Sequence, residues 1–250
     1  MVSCHTRRRI TYTLISFILI LFLWGGFLVG VSGESVPNRL DLPSGATGRI
    51  YWPEGYDVSF GDRGLVIALH GLRQTPEDAM AVWAPVAERL NLIVLVPSGN
   101  SYEHGYTREP VDDRARIREL RDRMVDRYGV NPSRVYVAGF SRGGNYAIEL
   151  GLKYPDVFPR VMCLYGFYNN LNTPLFEKGL SENLYRQSHF YLITGHGDMT
   201  EASLTGFHRR LQENGIATKL HVFPNLFHVY PPNFPEFFRG VLRTWREVGR

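Results

Sequence analysis

One short stretch constrains this chain more than any other: a strand-like run meets a glycine-flanked serine and then a helical pattern. Val135–Ala138 is β-branched and aromatic, which predicts a buried strand, and Asn145–Leu152 has helical spacing. Between them, residues 139–143 read G-x-S-x-G at a sharp strand-to-helix turn. A serine in such a turn takes a strained backbone conformation, and a Cβ on either flanking glycine would crowd it. The stretch therefore predicts a strand, a tight turn that presents Ser141, and a helix.

The pentapeptide by itself allows a second interpretation. Its glycines could simply punctuate a loop, with Ser141 capping the helix that follows. The rest of the chain is needed to separate the two interpretations.

The N-terminal segment predicts export. Arg7–Arg9 precede Ile10–Val31, an apolar run without a charged residue, and small residues follow up to Gly33. A basic region, an apolar region and small residues at a cleavage point are the parts of a secretory signal. We therefore expect residues 1–33 to be a signal peptide, residues 34–250 to form a single domain, and the protein to be secreted or periplasmic. The alternative is a retained membrane anchor, because the apolar run is about long enough to span a bilayer.

Charge and cysteine content narrow the function classes. The formal charge of +4 includes Arg7–Arg9, and no acidic residue precedes Glu34, so the remainder of the chain is nearly neutral. A nearly neutral domain offers no electrostatic attraction for nucleic acid. Cys4 falls in the export segment and Cys163 in a predicted strand, so we expect no internal disulfide. No pair of His, Asp or Glu has metal-site spacing, and we predict neither a metal nor a cofactor.

Apolar runs alternate with amphipathic segments along most of the chain. Leu65–Leu69 is apolar on both faces, as expected of a central parallel strand covered by helices. Thr75 followed by Pro76 marks the start of the next helix, and about twenty residues before Phe190 predict a loop. This alternation predicts an α/β fold with a mostly parallel central sheet and helices on both faces. The predicted strands are 49–53, 56–60, 65–69, 92–96, 135–138, 161–165, 190–194 and 219–223, and the predicted helices are 76–89, 112–128, 145–152, 201–214 and 236–247.

Four polar side chains follow the carboxyl ends of predicted strands: His70, Ser141, Asp198 and His228. Chemistry in parallel sheets gathers at these ends. A serine hydroxyl is a poor nucleophile at neutral pH and needs a base that is itself oriented by a third group. We therefore assign Ser141 as nucleophile, His228 as base and Asp198 as the group that orients the base. Glu201 is the alternative acid, although a charge in the first turn of a helix is explained more simply by the helix dipole.

Stabilising an oxyanion takes two backbone N–H groups aimed at one point. Arg142, at the start of the helix after the nucleophile, is the predicted source of one. Leu72, in the loop after the first central strand, is the predicted source of the other. His196 shares a turn with Asp198, and we interpret it as a turn residue that bonds backbone rather than as the base.

Loop residues at the same edge are the candidates for substrate binding. They are His70, Tyr102, His104 and Phe140. Aromatic side chains there would suit an aromatic or apolar acyl group, and the alternative that they belong to the core stays open.

The sequence around the serine resembles a known family. Gly139–Gly144, preceded by Tyr128–Val137 and followed by Tyr154–Phe158, resembles the polyhydroxybutyrate depolymerase and feruloyl esterase branch of the α/β-hydrolases, and is similar to their phospholipase/carboxylesterase branch. The resemblance extends over most of residues 65–245. It implies the α/β-hydrolase fold and a serine esterase, with a triad in the chain order Ser, Asp, His and the oxyanion donors at the positions already named.

Two features depart from that family pattern. Phe227 stands where those families usually have glycine before the histidine, and the turn that carries Asp198 is shorter than their usual His-Gly-x-x-Asp. The assignments of Asp198 and His228 therefore depend on the structure more than that of Ser141 does.

Together these features predict an exported serine hydrolase that cleaves carboxylic esters through an acyl-enzyme. Its expected partners are small-molecule or polymer esters and not nucleic acid, with a membrane involved only through an uncleaved N-terminal segment. A peptidase or a thioesterase would use the same groups on another leaving group. A catalytically silent surface binding protein would keep the fold without the chemistry. The sequence leaves these alternatives open.

Overall fold

The computed structural model describes residues 36–57 and 61–248. The predicted signal peptide, residues 1–33, lies outside the described residues, as do residues 58–60 of the predicted strand 56–60. Residues 56 and 57 of that predicted strand are described and do not belong to a strand. Within the described part of the chain, no helix is long and apolar enough to cross a membrane.

A single sheet of eight strands runs through the part of the chain that the structure describes. Its spatial order is β1-β2-β4-β3-β5-β6-β7-β8. β1 pairs antiparallel with β2 and β2 pairs antiparallel with β4, whereas the six strands from β3 to β8 are parallel to one another. The strands are β1 (Arg39–Asp41), β2 (Thr47–Tyr51), β3 (Arg63–Leu69), β4 (Leu92–Pro97), β5 (Val130–Phe140), β6 (Arg160–Leu164), β7 (His189–Gly195) and β8 (Ala217–Phe223).

Helices cover both faces of this sheet. Helices α1 and α6 pack on one face and α2 to α5 on the other, because their apolar residues fall into two separate buried clusters. The predicted α/β-hydrolase architecture, mostly parallel with helices on both faces, is therefore confirmed. The helices are α1 (Pro76–Leu90), α2 (Asp113–Tyr128), α3 (Arg142–Lys153), α4 (Thr173–Ser181), α5 (Glu201–Glu213) and α6 (Phe234–Val248).

The central strands are buried on both sides, as their continuous apolar sequence requires. Along β3, Leu65 and Ile67 belong to the cluster under α2 to α5, whereas Val66 belongs to the cluster under α1 and α6, and all three are fully buried. Successive side chains of a strand point to opposite faces, so one apolar run fills two cores. Each such side chain contributes roughly 1.5–3 kcal/mol by leaving water.

The start of α1 follows its sequence signals. Thr75 accepts a hydrogen bond from the Asp78 backbone, the Asp78 carboxylate accepts one from the Thr75 backbone, and Pro76 occupies the first turn. This reciprocal arrangement is a capping box, and it confirms the predicted helix start. Because the cap fixes where α1 begins, it also fixes the length of the loop between β3 and α1.

One helix was not predicted. Helix α4 lies inside the segment predicted as a loop, and it contains Gly179, which argues against a helix in the sequence. The structure explains that glycine: a Cβ there would lie 2.1 Å from the ring of Tyr185. The Tyr185 hydroxyl donates to Leu175 O at 2.8 Å, so the glycine allows the tyrosine to pack on α4.

Candidate active site

Ser141 sits in a strained turn directly after β5. Its φ of 54° and ψ of −118° lie outside the regions that ordinary residues occupy. A Cβ on Gly139 would lie 2.0 Å from Gly143 O, and one on Gly143 would lie 2.2 Å from Leu69 O. Since real Cβ atoms do not approach backbone so closely, only glycine fits at both positions. The turn holds its shape because no side chain occupies either flank.

The Ser141 hydroxyl does not cap the helix that follows it. Ser141 occupies the N-cap position of α3, yet its side chain makes no capping hydrogen bond. Its Oγ lies instead 2.9 Å from Nε2 of His228, which is 87 residues away in the chain. The interpretation of Ser141 as a simple helix cap is therefore wrong.

His228 reaches the serine from the loop after β8. Its backbone also has a positive φ, 43°, and its Nδ1 lies 3.2 Å from Oδ2 of Asp198. The ring of Phe140 packs against the imidazole with its edge, and the ring of Tyr165 lies on it at a tilt, each with centroids 5.3 Å apart. These two rings restrict the imidazole to the orientation in which its two nitrogens face Ser141 and Asp198.

Asp198 is held by a second set of hydrogen bonds. Its Oδ1 accepts from the Thr200 backbone at 2.9 Å and from the Thr200 hydroxyl at 2.7 Å, which leaves Oδ2 for His228. Its side chain is only 5% exposed. Burial by itself would raise the pKa of Asp198, but the hydrogen bonds from Thr200 and the nearby His228 lower that pKa below its usual value. The carboxylate is therefore ionised at neutral pH.

Glu201, the alternative acid, makes its hydrogen bonds with residues other than His228. Glu201 accepts from Gly197 N–H at 2.7 Å and lies 3.2 Å from Nδ1 of His196, a histidine that is mostly exposed. The pKa of Glu201 is lowered by the Gly197 hydrogen bond first and then by His196. Asp198 and not Glu201 is thus the carboxylate in contact with His228.

The predicted oxyanion donors belong to two segments that meet beside the serine. Arg142 is the first residue of α3, where a backbone N–H has no acceptor within the helix. In the loop after β3, Gly71 N–H donates to Gln74 Oε1 and Arg73 N–H donates to Tyr102 O. Within the described residues Leu72 N–H has no such acceptor. Gly71 itself would place a Cβ 3.5 Å from the ring of Phe140, so this loop touches the residue before Ser141.

The four candidates for substrate binding fall into two pairs. Tyr102 and His104 are exposed, with Tyr102 at 59%. His70 is buried at 2% exposure; its backbone N–H donates to the Tyr106 hydroxyl and its ring lies 4.7 Å from that of Tyr106. Phe140 is also buried and supports His228. Substrate contact remains a prediction for all four, and His70 and Phe140 already have structural contacts.

Sequence reasoning missed three residues that shape the site. Thr200 orients Asp198, Tyr165 contacts His228, and Gln74 bonds the loop that carries Leu72. Tyr165 and Gln74 follow the carboxyl ends of β6 and β3, so the rule that singled out His70 could have found them. Among the described residues, no group of three or more His, Cys, Asp or Glu side chains is arranged to hold a metal ion.

Comparison with known proteins places this geometry in context. Residues 41–192 match the family model named Esterase, described as "Putative esterase". A poly(3-hydroxybutyrate) depolymerase of Ralstonia pickettii is 33% identical over 132 residues, which cover 45% of this chain and 27% of that protein. A poly(3-hydroxyalkanoate) depolymerase C of Paucimonas lemoignei is 32% identical over 105 residues, 38% of this chain and 25% of that protein. The chain thus spans about a quarter of the length of these relatives.

Solved structures share the architecture at lower identity. A fluorophosphonate-binding serine hydrolase of Staphylococcus aureus, FphF, superposes with a TM-score of 0.67 at 17% identity over 83% of this chain and 96% of that one. A ferulic acid esterase superposes with a TM-score of 0.62 at 15% identity over the same shares. Likeness at this identity establishes the α/β-hydrolase fold.

Proposed function

Because this chain belongs to the Esterase family, we propose that it is a serine hydrolase that cleaves carboxylic esters through an acyl-enzyme. One observation carries the proposal. The Oγ of Ser141, the imidazole of His228 and the carboxylate of Asp198 form a continuous chain of contacts of 2.9 and 3.2 Å. Residues far apart in sequence meet there in the arrangement that activates a serine.

The proposed reaction begins at the hydroxyl of Ser141. Its Oγ attacks the ester carbonyl carbon while Nε2 of His228 takes the proton. The carbonyl oxygen becomes an oxyanion, which the N–H groups of Leu72 and Arg142 stabilise. As the tetrahedral intermediate collapses, the bond to the leaving oxygen breaks and His228 returns the proton to the departing alcohol. Water then attacks the acyl-enzyme by the same steps and releases the acid and free Ser141.

Asp198 supports both halves of this reaction. As a carboxylate it accepts a hydrogen bond from Nδ1–H of His228, so Nε2 is left as the acceptor that faces Ser141. It also stabilises the imidazolium that forms when the serine proton moves. Thr200 keeps this carboxylate in place, and we assign it the role of orienting the acid.

The surroundings of the serine favour an apolar ester. Five exposed large apolar side chains belong to the proposed groups or to residues beside them in these loops: Leu72 itself, Met199 beside Asp198, Phe227 and Val229 beside His228, and Tyr102, whose carbonyl accepts from Arg73 N–H. Exposed apolar side chains concentrated around a reactive group offer contact area to an apolar acyl chain or alcohol. The named activity of the depolymerase relatives extends this proposal to polymer esters as well as small ones.

We also propose that residues 1–33 direct export and that residues 34–250 form the catalytic domain. The basic and apolar pattern of the N-terminal segment supports export. N-terminal sequencing of the protein recovered from culture medium or periplasm would place the cleavage site, expected after Gly33.

Replacement of the nucleophile tests the proposal directly. Ser141→Ala should lower the turnover of p-nitrophenyl butyrate by about 10⁵-fold or more and abolish labelling by a fluorophosphonate. Ser133→Ala, at an exposed position of β5, is the matched control and should change neither. Turnover that survives Ser141→Ala would refute the proposal, and a wild-type protein that takes no label would favour the silent binding protein.

A further inference from the structure

The loop between β3 and α1 is held by the side chain of Gln74. Gln74 is half-buried, and its Oε1 accepts the N–H of Gly71 at 2.7 Å. The fit is close, since a Cβ on Gly71 would lie 2.9 Å from the same oxygen. The side chain thus closes a tight turn over residues 71–74.

This turn contains a residue in an unfavourable conformation. Arg73 has a φ of 55°, in the left-handed region that residues other than glycine and asparagine rarely adopt. The surrounding structure must hold such a residue in place. The Gln74 hydrogen bond does so from within the turn, and the bond from Arg73 N–H to Tyr102 O, at 3.0 Å, does so from the neighbouring loop.

These bonds select one free donor. The N–H of His70 is taken by the Tyr106 hydroxyl, that of Gly71 by Gln74 and that of Arg73 by Tyr102 O. Leu72 N–H lies between the last two, and among the described residues it has no protein acceptor. The Gly71–Leu72 peptide lies between the two peptides that Gln74 and Tyr102 hold, and its own carbonyl, Gly71 O, lies 2.9 Å from Nδ1 of His70. Rotation of this peptide is therefore opposed, so the Leu72 N–H keeps one direction.

We propose that Gln74 is a positioning residue for the oxyanion hole, which orients Leu72 N–H toward the charge that develops on the substrate oxygen. The inference rests on the proposed function and deepens it. Gln74 need not touch the substrate to act, because its bond to Gly71 N–H fixes the peptide that precedes the one carrying Leu72 N–H. Its removal should weaken transition-state binding more than substrate binding, since the carbonyl oxygen is nearly neutral before the attack.

The test uses two variants that lose the acceptor in different ways. Gln74→Met keeps the length and bulk of the side chain without an oxygen, whereas Gln74→Asn keeps the amide but is one methylene short of Gly71. Gln212→Met, at an exposed position of α5, is the matched control. For each, kcat and KM for p-nitrophenyl butyrate, the urea midpoint and the inhibition constant of a boronic acid that forms a tetrahedral adduct are measured.

We expect both Gln74 variants to lower kcat about 10- to 100-fold with KM within about threefold, because loss of a whole oxyanion donor costs about 10²–10³ in kcat. The affinity for the boronic acid should fall by the same factor as kcat/KM, and Gln212→Met should change nothing. The two Gln74 variants differ in packing, so one serves where the other fails to fold.

Either folded Gln74 variant with kcat within about twofold of wild type overturns the inference, as does a loss confined to KM. Failure of the proposed function is distinct: the wild-type protein itself would then show no turnover that depends on Ser141.

Discussion

The two ends of the parallel strands differ in the residues that take strained backbone. Among the described residues other than glycine, seven have positive φ, and three of these are asparagines. The other four are Arg73, Ser141, Tyr165 and His228, and all lie in loops at the carboxyl ends of strands. At the amino ends positive φ is taken by Asn91, Asn183 and glycines such as Gly129. Asn233 and Gly197 show that the carboxyl ends use such residues too, so the difference is that, in the described chain, other side chains take positive φ at the carboxyl ends alone.

This difference shows where the fold tolerates strain. A left-handed residue with an ordinary side chain costs roughly 1–2 kcal/mol, and asparagine or glycine lowers that cost. At the amino ends asparagine and glycine are sufficient, because the turns there have to redirect the backbone and need no particular side chain. The carboxyl ends keep Ser141 and His228 in unfavourable conformations, and the proposed reaction needs those side chains at those points.

The two ends also use their polar groups differently. At the amino ends, Asp62 bonds Arg134 and Asn131, which ties the start of β3 to the start of β5. At the carboxyl ends, the contact between Asp198 and His228 orients a side chain instead of tying two strands together. Variants of these polar side chains should therefore affect different properties, activity at the carboxyl ends and stability at the amino ends.

The sharpest test of this division is Asp198→Asn. The change preserves shape but cannot hold the His228 tautomer, so kcat should fall by about 10⁴-fold with little change in stability. Steady-state kinetics with p-nitrophenyl butyrate measures it. The neighbouring Glu201→Gln should lower kcat by less than about threefold, because Glu201 contacts His196. A large loss in Glu201→Gln with a mild one in Asp198→Asn would assign the acid to Glu201.

The next effect concerns the close approach of α3 to the strand ends. Gly143→Ala would place a Cβ 2.2 Å from Leu69 O and 2.7 Å from His70 O, so the backbone must shift. We expect the free energy of unfolding, measured in urea, to fall by about 3 kcal/mol or more. Gly206→Ala on α5 is the control, since a Cβ there meets nothing within 4 Å. It should stabilise by about 0.5–1 kcal/mol, and equal effects at the two sites would contradict the steric argument.

A third prediction concerns the pH dependence of stability that His189, at the amino end of β7, should cause. Burial, and then the charges of Arg160 and Lys219, lower the pKa of His189 from 6.5 to about 4. Between pH 6.5 and pH 4, His189 is therefore protonated in the unfolded chain but neutral in the folded protein. The free energy of unfolding falls as the pH drops through this range. His189→Phe should remove about 2 kcal/mol of that loss, and activity at pH 7 should not change. Unfolding curves for both proteins at pH 7 and pH 4.5 measure it, and identical pH dependence would count against the assignment.

The smallest expected effect is on stability and concerns Asn91, which takes a positive φ at the amino end of β4. Asn91 ends α1 with a φ of 51° and accepts a hydrogen bond from Arg63. Asn91→Ala should lower stability by about 1 kcal/mol and leave kcat unchanged. A loss of kcat in a stably folded Asn91→Ala protein would break the division between the two ends.

Most of the fold followed from the alternation of apolar runs and helical patterns. The central strands, α1 and α5 were predicted within a few residues, because fully buried strands and capped helices leave clear signals. Helix α4 and β1 were not, since α4 includes Gly179 and β1 is only three residues long. Their structure depends on contacts with Tyr185 and β2, which local sequence does not encode.

The site was predictable where chain order and strand ends restrict the choice. Those rules selected Ser141, Asp198 and His228, and the structure brings the three side chains together. They did not select Thr200 or Gln74, because a hydroxyl or amide in a turn has many ordinary uses. Export stays a prediction because it depends on residues 1–33. Substrate class also stays a prediction, because it depends on contacts with the ester.

The long separation between Ser141 and His228 has a consequence for synthesis. The imidazole arrives with the loop after β8, and β8 must first pair with β7. On the proposed mechanism, a nascent polypeptide that still lacks β8 would have Ser141 without His228 beside it and would not hydrolyse esters. Turnover would begin only once the last strand has docked, which makes hydrolysis itself a measure of how many molecules have finished folding.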